Sequence, residues 1–532
     1  MPCPVTFHPC GRTAHVEVGT SLLQAARQIG ILLDVPCGGA GTCGKCRVRI
    51  RSGHAPVDGS VYFFRASELV DGWRLACATP VTEPLEVEIP SAALLHQLGA
   101  ILVDGDPISL RHDPRPLGHL GVAFDLGTTS VAGTLFDLYT GRERATCSAM
   151  NRQIALGDDV ISRIAAVRAN AANLATLQRL AIETLNDILL ELCEACHTAI
   201  REITVAGNTT MQHLLLGLDP SPLGEYPFTP AFTDAQTVSA TGLGLRVHPD
   251  ATLTVFPQLG GFVGGDTVAG MIAAHFDALP YPALLVDVGT NGELALLCGD
   301  RIYAASAAAG PAFEGARIRQ GMRASDGAID TVSIIDGTLH THVIGGGDAT
   351  GLCGSALVDT VAELLRAGLV DSSGALDAPP SHPLAPRVQP SPDGGQFLLD
   401  PGGSCAGAAV WLTQRDIREL QLASGAIRAG IETLLRRAGL TARDLGAVLL
   451  AGGFGNTIRT ANAVRIGLLP PLADGVIRFI GNASLTGAKR ALLARNECEK
   501  AQRLRDRATH IDLSAEPCFS DCFMEHMLFP EP

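Results

Sequence analysis

Apolar and polar residues alternate strictly in four short stretches near the start of the chain. Val5-Thr6-Phe7 and Ala14-His15-Val16-Glu17-Val18 read as a short hairpin. Thr20 or Ser21 can cap a following helix that carries Leu22, Ala26 and Ile29 on one face. Arg47-Val48-Arg49-Ile50-Arg51 and Leu85-Glu86-Val87-Glu88-Ile89 alternate again, and Pro90 ends the second. Residues 1–90 therefore predict one small mixed α/β sheet. Pro107, Pro114 and Pro116 mark residues 91–118 as a linker. From 119 to 532, glycine-rich strand–turn segments alternate with helical stretches. Pro, Ser and Gly cluster at 371–403, which predicts a surface loop or insertion.

One pattern occurs twice. Residues 122–131 are VAFDLGTTSV and residues 284–293 are LLVDVGTNGE, with the aspartates 162 positions apart (287 − 125). The echo predicts two similar lobes of one duplicated α/β domain, at about 119–280 and about 281–532.

Composition narrows the classes. A chain of 532 residues suggests about three or four domains. Its 46% apolar residues allow a sizeable core. The 40 basic and 54 acidic residues leave a net charge of −14, against non-specific binding to nucleic acid or an anionic membrane. No apolar run reaches about 18 residues, so no membrane span is expected. The start, MPCPVTFHPCGRTAHVEV, lacks a basic segment followed by an apolar run, and a cytoplasmic location is expected. In that reducing compartment the clustered members of fifteen cysteines point to metal or redox chemistry.

Residues 36–46, PCGGAGTCGKC, place Cys37, Cys43 and Cys46 in C-x5-C-x2-C spacing, and Cys77 in RLACATP follows after 30 intervening residues. Four thiolates suit a tetrahedral Zn²⁺ or a [2Fe–2S] cluster. A structural zinc site usually takes two tight pairs, whereas this pattern is three plus one. The spacing resembles plant- and adrenodoxin-type ferredoxins, which implies a [2Fe–2S] cluster in a β-grasp domain over 1–90. Glycines in the loop let backbone N–H groups approach the sulfurs. This unit holds eight Lys/Arg and eight Asp/Glu, so the negative charge belongs to 91–532. Arg47, Arg49 and Arg51 could dock an acidic partner; a solvated strand face is the stronger reading.

A strand ending in Asp, then Gly-Thr, then a second strand makes a compact phosphate site: the turn aims N–H groups at phosphate oxygens and hydroxyls add donors. The Asp can hold Mg²⁺, usually through water. Residues 447–456, AVLLAGGFGN, add a buried strand running into glycines. These three pieces, in this order, resemble the acetate kinase/sugar kinase/Hsp70/actin superfamily. Asp125, Gly127, Thr128 and Thr129 match its first phosphate motif, and Asp287, Gly289, Thr290 and Asn291 its second. Gly452, Gly453 and Gly455 match the adenosine motif. Asp266 in GGDT is a further candidate for a metal or water partner, with a helix N-cap as the equal alternative.

The whole chain resembles the reductive activators of corrinoid proteins. AGNTTMQHLLLG (206–217), GGFVGGD (260–266), AGPAFEGARIRQGM (309–322), GLCGSALVD (351–359) and FMEHMLFP (523–530) carry the likeness. It implies an α/β multidomain protein, with a β-grasp ferredoxin-like domain ahead of a two-lobed actin-like ATPase fold over 119–532. Larger relatives carry an additional middle domain; here about thirty residues separate Ile89 from the first phosphate strand.

The resemblance further implies that Cys37, Cys43, Cys46 and Cys77 ligate the cluster, and that Asp125 and Asp287 organise Mg²⁺ and the attacking water. ATP would then assist transfer of one electron from the cluster to the Co(II) corrinoid of a methyltransferase system, restoring Co(I). Plant-type clusters sit near about −400 mV, and each further 100 mV uphill costs about 2.3 kcal/mol per electron. The partners implied are that corrinoid protein and a low-potential electron donor, with room for a homodimer through the ATPase domain. An activator of another low-potential enzyme and a redox-sensing ATP switch without turnover are the competing readings.

Other signals carry less. CEACH (193–197) fits a haem-attachment pattern but lies in a helical period, so core or surface thiols are expected. Cys518 and Cys522 share a helix face and should pack. Cys353 is assigned only to a turn near the nucleotide, and Gly345-Gly346-Gly347 only to a turn.

Overall fold

The computed structural model describes residues 2–29, 31, 33, 35, 41, 44–57, 63–64, 66–90, 93, 112–157, 159–193, 197–280, 282–315, 317–392, 394–402, 409–452, 458–473 and 475–531. The chain forms two compact units. The first comprises Met1–Gly99 with Gln153–Ser162, and the second Ala100–Arg152 with Arg163–Pro532.

The first unit is a five-stranded sheet in the order Arg12–Val16, Cys3–His8, Leu85–Glu88, Arg47–Ser52, Trp73–Leu75. Cys3–His8 and Leu85–Glu88 run parallel; the other pairs are antiparallel. Ser21, not Thr20, caps helix Leu22–Gln28, in a reciprocal capping box with Gln24. The helix buries Leu22, Leu23, Ala25 and Ala26 among Val5, Phe7, Val48, Leu75 and Val87. Alternation placed four of these strands. The three-residue strand Trp73–Leu75 and the five-residue helix Ala66–Val70 are too short to carry a period.

The second unit contains the duplication. One six-stranded sheet is ordered Gln236–Ser239, Thr252–Val255, Ile200–Gly207, Leu120–Leu126, Ser130–Asp137, Arg142–Met150. The other is ordered Ile477–Phe479, Ala447–Ala451, Ala283–Val288, Gly292–Cys298, Arg301–Ala307, Ala508–His510. In each, the strand bearing the Asp pairs antiparallel with its successor and parallel with a later strand, Ile200–Gly207 in the first sheet and the fully apolar Ala447–Ala451 in the second. Asp125 stands beside Ala206 on that parallel neighbour, and Asp287 beside Ala451. The two aspartates thus hold equivalent places in an actin-like pair of lobes.

Helices Gly265–Ala273 and Ala483–Leu493 pack together in a core that draws side chains from both sheets, including Ala123, Ala206, Leu285 and Leu449. A Cβ added to Gly487 would lie 2.0 Å from the carbonyl oxygen of Ala269, so only glycine lets these helix backbones approach as they do.

Two expectations need correction. The 371–403 stretch is not a bare loop. It contributes strands Val388–Ser391 and Gly394–Asp400 to a three-stranded sheet completed by Val410–Thr413, with Phe397 and Leu399 buried in the core. Its prolines and glycines hid a β-hairpin, in which glycine at 394 takes the positive φ of +110°. At CEACH, helix Ala172–Leu192 ends one residue before Cys193, which is the C-cap and is disulfide-bonded rather than a thiol; Cys196 lies outside the described residues. The packing expected of Cys522 holds: it is 1% exposed within helix Phe519–His526, with Cys518 as the N-cap. Among the described residues no helix is long and apolar enough to cross a membrane.

Candidate functional sites

In the first unit, strand pairing explains how a ligand so far along the sequence reaches the cysteine loop. Arg47 pairs with Leu75 in an antiparallel ladder. One step beyond, the Ala76 N–H donates to the Cys46 carbonyl at 2.8 Å. Cys77 follows immediately, and its Sγ lies 3.3 Å from Cys46 Sγ. That is far beyond the disulfide bond length of about 2.0 Å. Two thiolates on one tetrahedral metal, with bonds of about 2.3 Å, sit roughly 3.8 Å apart. The pair therefore fits a shared iron after a small outward movement. Cys37 and Cys43 lie outside the described residues.

Arg47 braces the end of the ligand loop. It donates to the carbonyls of Gly44 at 3.1 Å and Phe63 at 3.2 Å, and stacks on Phe64 at 4.9 Å from the ring centre. Gly44 has φ +69°, and a Cβ there would meet Phe63 Cδ1 at 2.6 Å. Arg49 donates to the Asp71 carbonyl and Arg51 pairs with Glu88. All three arginines thus have partners within the unit.

In the second unit, the first phosphate turn is held by its carbonyls. Asn151 Nδ2 donates to Gly127 O at 2.9 Å, Arg163 Nη2 to Thr128 O at 2.5 Å, and the Asn151 N–H to Thr129 O at 3.0 Å. In a planar trans peptide the following N–H points the opposite way. Tying back the carbonyls of Gly127 and Thr128 therefore aims the N–H groups of Thr128 and Thr129 at the other side of the turn, where an anion would sit. Arg163 is fully buried, which fixes this arrangement. Asn208 completes it as the N-cap of helix Thr209–Leu216, donating from Nδ2 to Thr128 Oγ1 at 2.9 Å. A Cβ on Gly264 would lie 2.5 Å from Asn208 Cα, so GGFVGGD presses directly on the start of this helix.

The second turn is closed by a Gly289 N–H bond to Asn291 O at 2.9 Å. Thr290 Oγ1 donates to Glu314 Oε1 at 2.5 Å, and the Asn291 side chain bonds to the Glu293 carboxylate. Gly452, at φ +100°, comes against the same turn: a Cβ there would meet Val288 O at 2.4 Å and Asp287 Oδ1 at 2.8 Å. Gly453 and Gly455 lie outside the described residues. Beyond them, the buried Asp359 of GLCGSALVD binds Arg459 Nε at 3.0 Å and Asn462 Nδ2 at 2.6 Å, anchoring the chain that leaves this loop.

The carboxylates of the two turns feel one another. Asp125 accepts from Asn482 Nδ2 at 2.9 Å and Ser484 Oγ at 2.7 Å, both at the start of helix Ala483–Leu493. Burial raises its pKa, and those two bonds oppose the rise. Burial, then the charges of Asp266 and Asp125, push Asp287 up to about 7. Burial and Asp125 push Asp266 up to about 6. Glu293 is raised well above its ordinary value by burial, Asp266 and Asp287. Asp266 is not the N-cap of helix Gly265–Ala273; Gly264 is. Four crowded carboxylates that resist joint ionisation suit a cation or its hydration shell. Among the described residues no group of three or more such side chains is arranged to hold a metal directly.

Sequence reasoning missed Asn151, Arg163, Asn208, Glu293, Glu314, Asn482 and Ser484 as site residues. Asn208 had a local signal, an N-cap residue directly after the apolar strand end ITVAG. The others reach the turns through tertiary structure.

Comparison with known proteins agrees with this construction. Residues 6–82 match the 2Fe-2S iron-sulfur cluster binding domain, residues 120–278 the RACo middle region, and residues 281–532 the C-terminal domain of RACo, the ASKHA domain. The middle-region match falls on the stretch bearing the first phosphate turn, so the chain contains a counterpart of that family region. The chain is 37% identical to corrinoid activation enzyme RamQ of Eubacterium limosum, over 77% of this chain and 70% of that one. It is 28% identical to the [Co(II) methylated amine-specific corrinoid protein] reductase of Methanosarcina barkeri, over 76% of each. Its structure matches a reductive activator for corrinoid, iron-sulfur protein at TM-score 0.72 and 30% identity, covering 99% of this chain and 98% of that one. A ferredoxin-type unit, two Asp-x-Gly-Thr turns in an actin-like ATPase fold, and these relatives together place the chain in the family of reductive activators of corrinoid proteins.

Proposed function

We propose that this protein couples ATP hydrolysis to the delivery of one electron from a [2Fe–2S] cluster to the Co(II) corrinoid of a methyltransferase-system protein, restoring Co(I). The observation that carries the reading is the meeting of the two turns: Asp125 and Asp287 sit close enough for one charge to raise the other's pKa. Phosphoryl transfer depends mainly on positioning and on charge, and the turns supply both.

Cys46 and Cys77 would hold one side of the cluster, with Cys37 and Cys43 the other. When bound, the cluster supplies electrons singly. The N–H groups of Thr128 and Thr129 bind phosphate, and Gly452 allows the nucleotide close backbone approach. Asp125, Asp287, Asp266 and Glu293 would hold Mg²⁺ through its waters, and the ion supplies the charge neutralisation that ATP requires. Asp125 and Asp287 orient the attacking water. ATP shifts the electron's energetics only if its bound and hydrolysed states favour different states of the partner. Hydrolysis then also releases the reactivated partner. In a stopped assay with a corrinoid protein, phosphate release by the wild-type chain should rise when the partner is present, and Asp287→Asn should abolish the rise. Unstimulated turnover in both would defeat the proposal.

A further inference from the structure

The two turns share the sequence Asp-x-Gly-Thr and are opposite in the hydrogen-bond polarity of their threonines. In the first, Asn208 Nδ2 donates to Thr128 Oγ1. The amide cannot be reversed, because Asn208 Oδ1 accepts the Met211 N–H at 3.0 Å as the helix cap. The Thr128 oxygen is therefore an acceptor here, and its single proton remains to be donated elsewhere.

In the second turn the roles invert. Thr290 Oγ1 donates its hydrogen bond to Glu314 Oε1 at 2.5 Å, and this carboxyl oxygen accepts. What remains on Thr290 is lone pairs. Glu314 ends the single turn Pro311–Glu314, flanked by Gly310 at φ +75° and Gly315 at φ +74°. A Cβ on Gly315 would meet Met322 N at 2.7 Å, and one on Gly321 would meet Gly315 O at 2.1 Å. This mount is tightly packed, so Glu314 acts as a fixed acceptor.

We infer that Asn208 and Glu314 are positioning residues that assign the threonines opposite tasks. Thr128 donates to a phosphate oxygen, and Thr290 accepts from a water proton. Ionised phosphate oxygens need donors; the waters that Mg²⁺ retains offer protons. The first turn is thus the phosphate side of the site. The second, with Asp287 and Glu293 beside Thr290, is the hydrated-cation side. The inference rests on the reading of these turns as an ATP site.

The test is calorimetric binding of a non-hydrolysable ATP analogue to the full chain, with EDTA and with Mg²⁺. In Glu314→Gln the amide can donate to Thr290 and turn its hydroxyl around. Affinity in EDTA should stay within about twofold, while the gain from Mg²⁺ falls about tenfold or more. Thr290→Val should follow the same pattern. Asn208→Asp keeps the helix cap but takes the Thr128 proton. Affinity should fall about tenfold with EDTA and with Mg²⁺ alike. The neutral Thr128→Val should match it, separating lost donation from added charge. Equal weakening of Glu314→Gln in both conditions, a loss confined to Mg²⁺ for Thr128→Val, or no change in either overturns the assignment. Wild-type protein that binds no analogue overturns the ATP reading itself, and this control tells the two failures apart.

Discussion

Asn482 Nδ2 donates to Asp125 Oδ2 at 2.9 Å across 357 positions of sequence. Asp125 lies near the end of strand Leu120–Leu126 of one lobe, while Asn482 caps helix Ala483–Leu493, which follows strand Ile477–Phe479 of the other. The lobes therefore meet at the carboxylate that the first phosphate turn presents. With Ser484, the bond opposes the rise in pKa that burial imposes on Asp125.

Removing both donors should raise the Asp125 pKa further. In Asn482→Ala/Ser484→Ala, the acid limb of the pH–rate profile for ATP hydrolysis should move up by about one unit. That corresponds to roughly 1.4 kcal/mol, a modest fraction of two bonds to a charged group. The profile reports the coupled carboxylates jointly. An unmoved acid limb in this variant would refute the role given to the pair.

Stability should depend on pH in a stated direction. Asp287 and Asp266 have folded values of about 7 and about 6, above the ordinary value of about 3.9. Between these limits the folded state binds more protons than the unfolded chain, so stability falls as pH rises. Without Mg²⁺, the melting temperature should drop by several degrees from pH 5 to pH 8. Added Mg²⁺ should recover part of it at pH 8, and Asp287→Asn should flatten the slope. Thermal melts across this range check all three, and a Mg²⁺-free melting temperature that climbs with pH would count against the buried carboxylate group.

The cluster site makes a graded prediction. Cys77→Ala should eliminate the EPR signal of the reduced [2Fe–2S] centre. Gly44→Ala should fold but retain iron poorly, because its Cβ at φ +69° would strike Phe63 at the end of the ligand loop. The left-handed backbone alone costs about 1–2 kcal/mol. Iron content and spin quantitation read both variants; full retention in Cys77→Ala would exclude it as a ligand.

Gly452→Ala should damage the second turn more severely, since backbone carbonyl and Asp287 both crowd that Cβ. The expected cost is at least about 1–3 kcal/mol, together with a loss of nucleotide affinity. Calorimetry with an ATP analogue, paired with a melt, would show it. Wild-type affinity in this variant would place the nucleotide elsewhere.

What the sequence reveals of this protein depends on the range of each interaction. Alternation placed strands such as Cys3–His8 and Leu85–Glu88, because a half-buried strand writes its period locally. The repeated Asp-x-Gly-Thr announced the duplicated lobes because each turn is built from contiguous residues. Cysteine spacing singled out Cys77, and the Arg47–Leu75 pairing brings it beside Cys46. Asn482, Ser484, Arg163 and Glu314 were not legible. Each acts on a turn remote in sequence, and nothing in its local pattern distinguishes it from an ordinary cap or helix residue. The 388–400 hairpin was hidden for the reverse reason: local turn residues dominate a segment whose order comes from burying Phe397 and Leu399.

The most direct measurement is the visible spectrum of a Co(II) corrinoid protein mixed with this protein and a chemical reductant, before and after ATP. Co(I) absorbance should appear on addition of MgATP with the wild-type chain. None should appear with Cys77→Ala or Asp287→Asn. Co(I) forming equally without ATP, or equally with either variant, would contradict it.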